Sequence, residues 1–147
     1  MKRIMNRLVT AEYIRELNAV EVDFKGLGLL SEYHETMDIA MNISLVYQTN
    51  QWLFKKKSFV DISPDAFMYF IKKWSIKACA IYHEHISKKD CKLALYTGAE
   101  SSLYLVSTNE LFEKQRSVQP GLELQIFSDL REAKSFLKQG KEPKVLI

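Results

Sequence analysis

Two cysteines and three histidines are the side chains here best suited to metal or nucleophilic chemistry, and their spacing limits what they can do. His83-Glu84-His85 has the look of a metal cluster. On a helix, however, residues two apart point roughly 200° away from each other, so these imidazoles cannot chelate one ion. Helical zinc pairs use a spacing of four. Cys79 stands four residues before His83, but that pair needs two further ligands from elsewhere in the chain. Cys91 has no obvious histidine partner in sequence, only the fold could bring His34 to it, and neither cysteine belongs to a C-x-x-C pair. Cys79 falls in an apolar helical run and reads as core packing, and the histidines read as surface residues. The expectation is therefore no metal, no cofactor and no disulfide.

Other chemistry is equally sparse. Gly26-x-Gly28 lacks the third glycine of a phosphate loop and follows a hairpin, so it reads as a turn. There is no G-x-S-x-G elbow. Asp61 and Asp65 flank a helix start, where capping explains them. No catalytic residue is named, and the chain is expected not to be an enzyme. Trp52 and Trp74 fall on core-facing positions and read first as packing. Their alternative role is to line an apolar pocket between the sheet and the helices over 31–48 and 63–85.

The elements that must position these residues are legible from periodicity. Val20, Val22 and Phe24 alternate with Glu21, Asp23 and Lys25, the pattern of a half-buried strand. The segment from Ala11 to Leu17 is the expected partner, with Asn18-Ala19 as the tight turn of a hairpin. A helix opens at Ser31, with Tyr33, Met37, Ala40 and Tyr47, and with Ile39, Ile43 and Val46, at helical spacing. Gln51-Trp52-Leu53-Phe54 reads as a strand buried on both faces. Ser63-Pro64-Asp65 combines a serine cap, a proline at the first helical position and an acid in the first turn. The helix it opens runs to about His85, presenting Phe67, Phe70, Ile71, Trp74, Ala78 and Ile81. Leu93 to Tyr96 is an interior strand. A weaker helix is expected within 99–116, then a turn at Pro120-Gly121, a strand over Leu122, Leu124 and Ile126, and a last helix capped at Ser128-Asp129. Strands alternating with helices imply an α/β fold with a mixed, mostly parallel sheet of about five strands, an N-terminal antiparallel hairpin and about four helices.

Composition sets the remaining bounds. At 147 residues the chain is expected to form a single domain over 1–147. With 47% apolar and 27% charged residues it has the make-up of an ordered globular protein. Net charge is only +3, and acidic residues separate the lysine clusters at 55–57, 72–73 and 88–89, so nucleic acid is not an expected partner. No run approaches the roughly 18 apolar residues of a membrane span. Met1 to Arg7 is basic but is not followed by the apolar stretch of a signal peptide, so a cytoplasmic location is expected.

This element order, together with the Tyr33-to-Tyr47 helix, Trp52-Leu53, Ile62-Ser63-Pro64-Asp65, Trp74, Phe127-Ser128-Asp129-Leu130-Arg131-Glu132-Ala133 and Phe136-Leu137, resembles the STAS/SpoIIAA-like (anti-sigma-factor antagonist-like) superfamily. Small stand-alone bacterial members look most alike, and the resemblance covers about 10–138. It implies a SpoIIAA-like fold and a non-enzymatic regulatory or protein-interaction domain, with a protein partner that includes a second copy of the chain as a homodimer. It also makes Ser63 a candidate phosphoacceptor, since a phosphate there would lie at a helix N-terminus. The chain departs from the family in two places, the first bearing on phosphorylation and the second on any function tied to the replaced acid. The Asp-Ser-Ser-Gly phosphorylation motif is missing, and Lys55 stands where relatives often carry an acid.

Overall fold

In the computed structural model, residues 3–5, 9–24, 30–56, 64–98 and 121–139 are described. They form β1 (Arg3–Met5), β2 (Val9–Ile14), β3 (Ala19–Phe24), α1 (Leu30–Tyr47), β4 (Gln51–Lys56), α2 (Pro64–His85), β5 (Cys91–Thr97), β6 (Leu122–Phe127) and α3 (Leu130–Lys138). The six strands lie in one sheet in sequence order. β1–β2 and β2–β3 are antiparallel; β3–β4, β4–β5 and β5–β6 are parallel. The sheet is thus mixed and mostly parallel, with an antiparallel opening, and β1 is a strand beyond the five expected. Three helices are described, and the fourth, expected within 99–116, falls outside the described residues.

The hairpin differs from the tight Asn18-Ala19 turn that periodicity suggests. β2 stops at Ile14, and Leu17 and Asn18 donate their backbone N–H groups to Ile14 and Arg15 at 3.2 and 3.1 Å. Asn18 takes up a left-handed φ of 50°, which asparagine tolerates because its side chain bonds locally. Its Oδ1 accepts from the Tyr13 hydroxyl at 2.8 Å. The turn is therefore Arg15–Asn18, and Ala19 is already strand. Leu17 is buried, but in the turn rather than in an extended strand.

The period-two alternation of the strands divides the core. Val20, Val22, Trp52, Phe54, Leu93 and Leu95 face α1 and α2, while Leu53 and Ala94 face α3 through Ala133, Phe136 and Leu137. Helix α1 buries Met37, Ala40, Met41, Ile43 and Ser44 but leaves Val46 71% exposed, because that position lies beyond the buried stripe on a 3.6-residue repeat. Helix α2 buries Phe67, Ile71, Trp74, Ala78 and Tyr82 along its centre, with Cys79 on the margin of that stripe and His83 further out. The stripe edge is where a helix passes from core to solvent, so it can carry polarizable and titratable groups at low cost. Asp129 caps α3 by accepting from the Arg131 backbone N–H at 2.8 Å, as the sequence leads one to expect.

Candidate thiol–imidazole site

A polar link of five residues, 86–90, returns the chain from the end of α2 to the start of β5. It lays Cys91, the first residue of β5, beside the last two turns of α2. Cys79, His83 and Cys91 there bring their ligand atoms within 4.8 Å of one another. The two cysteines are buried thiols, and His83 is partly exposed at the rim.

The backbone holds each member. The Cys91 N–H donates to the Gly121 carbonyl at 2.6 Å, which fixes the first rung between β5 and β6. The same carbonyl accepts from the Cys79 thiol at 3.5 Å. His83 Nε2 lies 2.8 Å from the Lys89 carbonyl; a carbonyl can only accept, so Nε2 carries the hydrogen and Nδ1 keeps its lone pair in the neutral ring. Cys79 Sγ lies 3.7 Å from Nε2 and 3.9 Å from Nδ1, facing the ring edge between them. Gly121 has φ 93°, and a Cβ built there would stand 3.0 Å from His83 Cε1. This position requires glycine for its backbone conformation and also for the room the imidazole occupies.

Electrostatics make the two thiols unequal. A hydrogen bond from the Cys91 thiol holds the Cys79 thiol down at about 7, helped by the His83 imidazole, against burial and the charge of Asp90. The same bond, then burial, then the charges of Cys79 and Asp90, push Cys91 far above the ordinary thiol range. The pair thus gives up one proton near neutrality and retains the other.

Two soft thiolates and an imidazole suit a thiophilic cation such as Zn²⁺. With Zn–S about 2.3 Å and Zn–N about 2.0 Å, ligand atoms of a tetrahedral site stand roughly 3.5–3.8 Å apart. The Cys79 Sγ–His83 Nδ1 separation of 3.9 Å is already close to that edge. The ring nitrogen not facing the cation would remain tied to a backbone carbonyl, the usual outer support of a metal-bound histidine. Asp90, exposed beside the cluster, leaves a fourth position for a carboxylate or water.

Of the residues singled out in the sequence, Cys79 and His83 are brought together as their spacing allows, and Cys91 joins them. His85 is exposed on another side of α2, and His34 packs edge-on against Phe70 with centroids 4.9 Å apart. Cys91 was missed because twelve positions separate it from Cys79; the available signal was the short polar link that must fold the strand start back onto the helix. Trp52 and Trp74 meet edge to face at 5.4 Å between centroids, and the Trp52 indole donates to Ser44 Oγ at 2.7 Å. They are 0% and 8% exposed, so they fill the space between the sheet and the helices. An open groove of about 590 Å³ lies instead beside β6 and α3, lined in part by Gln125, Phe127, Asp129 and Arg131. Ser63, the candidate phosphoacceptor, lies outside the described residues, as do Asp61 and the 26–28 glycine turn; α2 does begin at Pro64. Lys55 pairs with Glu21 at 3.6 Å. No helix among the described residues is long and apolar enough to cross a membrane. Compared with known protein families, curated proteins and solved structures, the chain matches none.

Proposed function

We propose that the chain is a non-enzymatic regulatory domain, of the STAS/SpoIIAA-like kind its sequence resembles, that holds a thiophilic divalent cation, Zn²⁺ by its chemistry, at Cys79, His83 and Cys91. The observation that carries this reading is the convergence of three soft or borderline donors within 4.8 Å. The location supports holding rather than turnover. Crevices in open parallel sheets form outside the carboxyl ends of strands where strand order reverses. Here the order of the described strands runs in sequence without reversal, and the cluster lies at the amino end of β5. A cation there would tie the exposed 88–90 stretch of the link to α2, setting the shape of a surface that a protein partner or a second copy can read.

Zinc titration of the full chain against a chromogenic chelator tests the reading. One equivalent bound by the native protein, and none by Cys79→Ser, is the expected result. Light scattering with zinc and with chelator tests the regulatory half, which expects a different oligomeric state in each. Absence of stoichiometric binding would overturn the metal site, and an unchanged size would remove the second copy as the partner.

A further inference from the structure

The same two sulfurs support a second chemistry, which in its metal-release half rests on the reading above. We infer that Cys79 and Cys91 close to a disulfide when a hydroperoxide oxidises Cys79, and that closure expels the bound cation.

Geometry comes first. The two sulfurs lie within 4.8 Å of each other in a single cluster, one on a helix and one at a strand start. No other side chain has to be crossed to join them, and a disulfide needs the sulfurs to close to about 2.05 Å. Cys79 is 6% exposed and Cys91 0%, so the oxidant must be small and Cys79 is the more accessible of the two. Hydrogen peroxide meets that limit, whereas a bulky disulfide does not.

The steps balance. The Cys79 thiolate attacks one peroxide oxygen, the O–O bond breaks, and hydroxide leaves and is protonated to water; Cys79 becomes a sulfenic acid. The Cys91 sulfur then attacks Cys79 Sγ, displacing hydroxide, which leaves as a second water with the Cys91 proton. Two thiols and one peroxide give one disulfide and two waters; in the loaded form both sulfurs start as thiolates, the cation leaves, and solvent supplies the two protons. The order of attack follows from the cluster. Cys79 is the less buried of the two thiols, so it is the one the oxidant reaches. Cys91, 0% exposed, is shielded from the oxidant and is left as the thiol that attacks. His83 stands beside both sulfurs to pass the proton. A disulfide sulfur has no anionic lone pair to give a cation, so oxidation removes two of the three protein ligands together.

The test uses the full chain in two forms, zinc-loaded and metal-free, each treated with hydrogen peroxide. Non-reducing digestion and mass spectrometry read the Cys79–Cys91 link, and a chromogenic chelator reads released zinc. The link is expected in both forms. Release is expected to track it in the loaded form, with zinc affinity falling by more than about a hundredfold and returning on reduction. Cys91→Ser should stop at a sulfenic acid that dimedone traps on Cys79, and Cys79→Ser should not react. No link in the metal-free protein would overturn the disulfide. A link without loss of zinc affinity would overturn the release. If the reduced protein never binds zinc, the metal reading and the release fall together, while the metal-free arm still decides the disulfide.

Discussion

Helix α2 presses two very different pairs of side chains against the same sheet, little more than a turn apart. At Trp74 it meets Trp52 ring to ring, and the only polar atom of the buried indole is spent on Ser44. At Cys79 it meets Cys91, with His83 of the same helix beside them, and the ligand atoms of all three can take a proton or a cation. Both lie on the buried side of one helix. The first arrangement is chemically complete, because apolar faces and one satisfied N–H ask for nothing more. The second is incomplete, because both sulfurs and one imidazole nitrogen keep lone pairs that can still take a proton or a cation. Burial alone therefore does not mark a site; burial of groups with unspent donor capacity does.

The comparison can be broken most forcefully at the tryptophan. Trp52→Ala should cost about 3–5 kcal/mol in chemical denaturation, since it removes a fully buried ring, while the Ser44 hydroxyl keeps its bond to the Ala40 carbonyl. A loss below that range would mean that the space can collapse and that the aromatic pair is not a fixed core. The next effect belongs to the cluster. Zinc at a hundredfold excess over its dissociation constant should stabilise the reduced native chain by about 2.7 kcal/mol, and this gain should vanish in Cys79→Ser but survive in Ser44→Ala. Gly121→Ala follows at about 1–3 kcal/mol, from a φ of 93° that alanine rarely adopts and from the imaginary Cβ at 3.0 Å from the imidazole. Its zinc affinity should fall as well, because His83 has to move.

The smallest effect sharpens the comparison through pH. Cys79 is depressed from 9.0 to about 7, so relative to an unfolded thiol its ionised form stabilises the fold above pH 9, and that contribution declines as pH falls toward 7. Zinc binding needs both thiolates. Above pH 7 only the Cys91 proton must leave, giving about a tenfold gain in affinity per pH unit; below 7 both thiol protons must leave, giving about a hundredfold. A break in slope near neutrality, measured by chelator competition, is the expected result. Ultraviolet thiolate absorbance should show the Cys79 titration moving upward in Cys91→Ala, and by less in His83→Gln, since the thiol–thiol bond is the larger cause.

Much of the fold could be read from the residues because its determinants are local. Pro64 opens α2, Asp129 caps α3, and the alternation of Val20, Val22 and Phe24 sets the faces of β3. The hairpin turn was less legible, because the left-handed φ of Asn18 shortens β2 without any glycine to announce it. The i, i+4 relation of Cys79 and His83 was likewise visible as helix geometry. Cys91 was not, because its approach depends on where a parallel strand enters the sheet, and that register is set by pairing with Leu122 and Lys92 with Gln51 rather than by anything beside Cys91 in the chain. Sites assembled across a crossover are therefore the part that periodicity leaves out.

Lys92 adds a mechanical consequence. Neighbouring residues of a strand point to opposite faces, so while Cys91 engages α2, Lys92 reaches through to α3 and donates to the Phe136 and Gln139 carbonyls at 3.2 and 3.1 Å. One planar peptide unit joins the two. Any tilt of that plate is geared to both layers at once: a pull on the sulfur side turns the ammonium on the other, and the end of a helix that never touches the cluster feels the load.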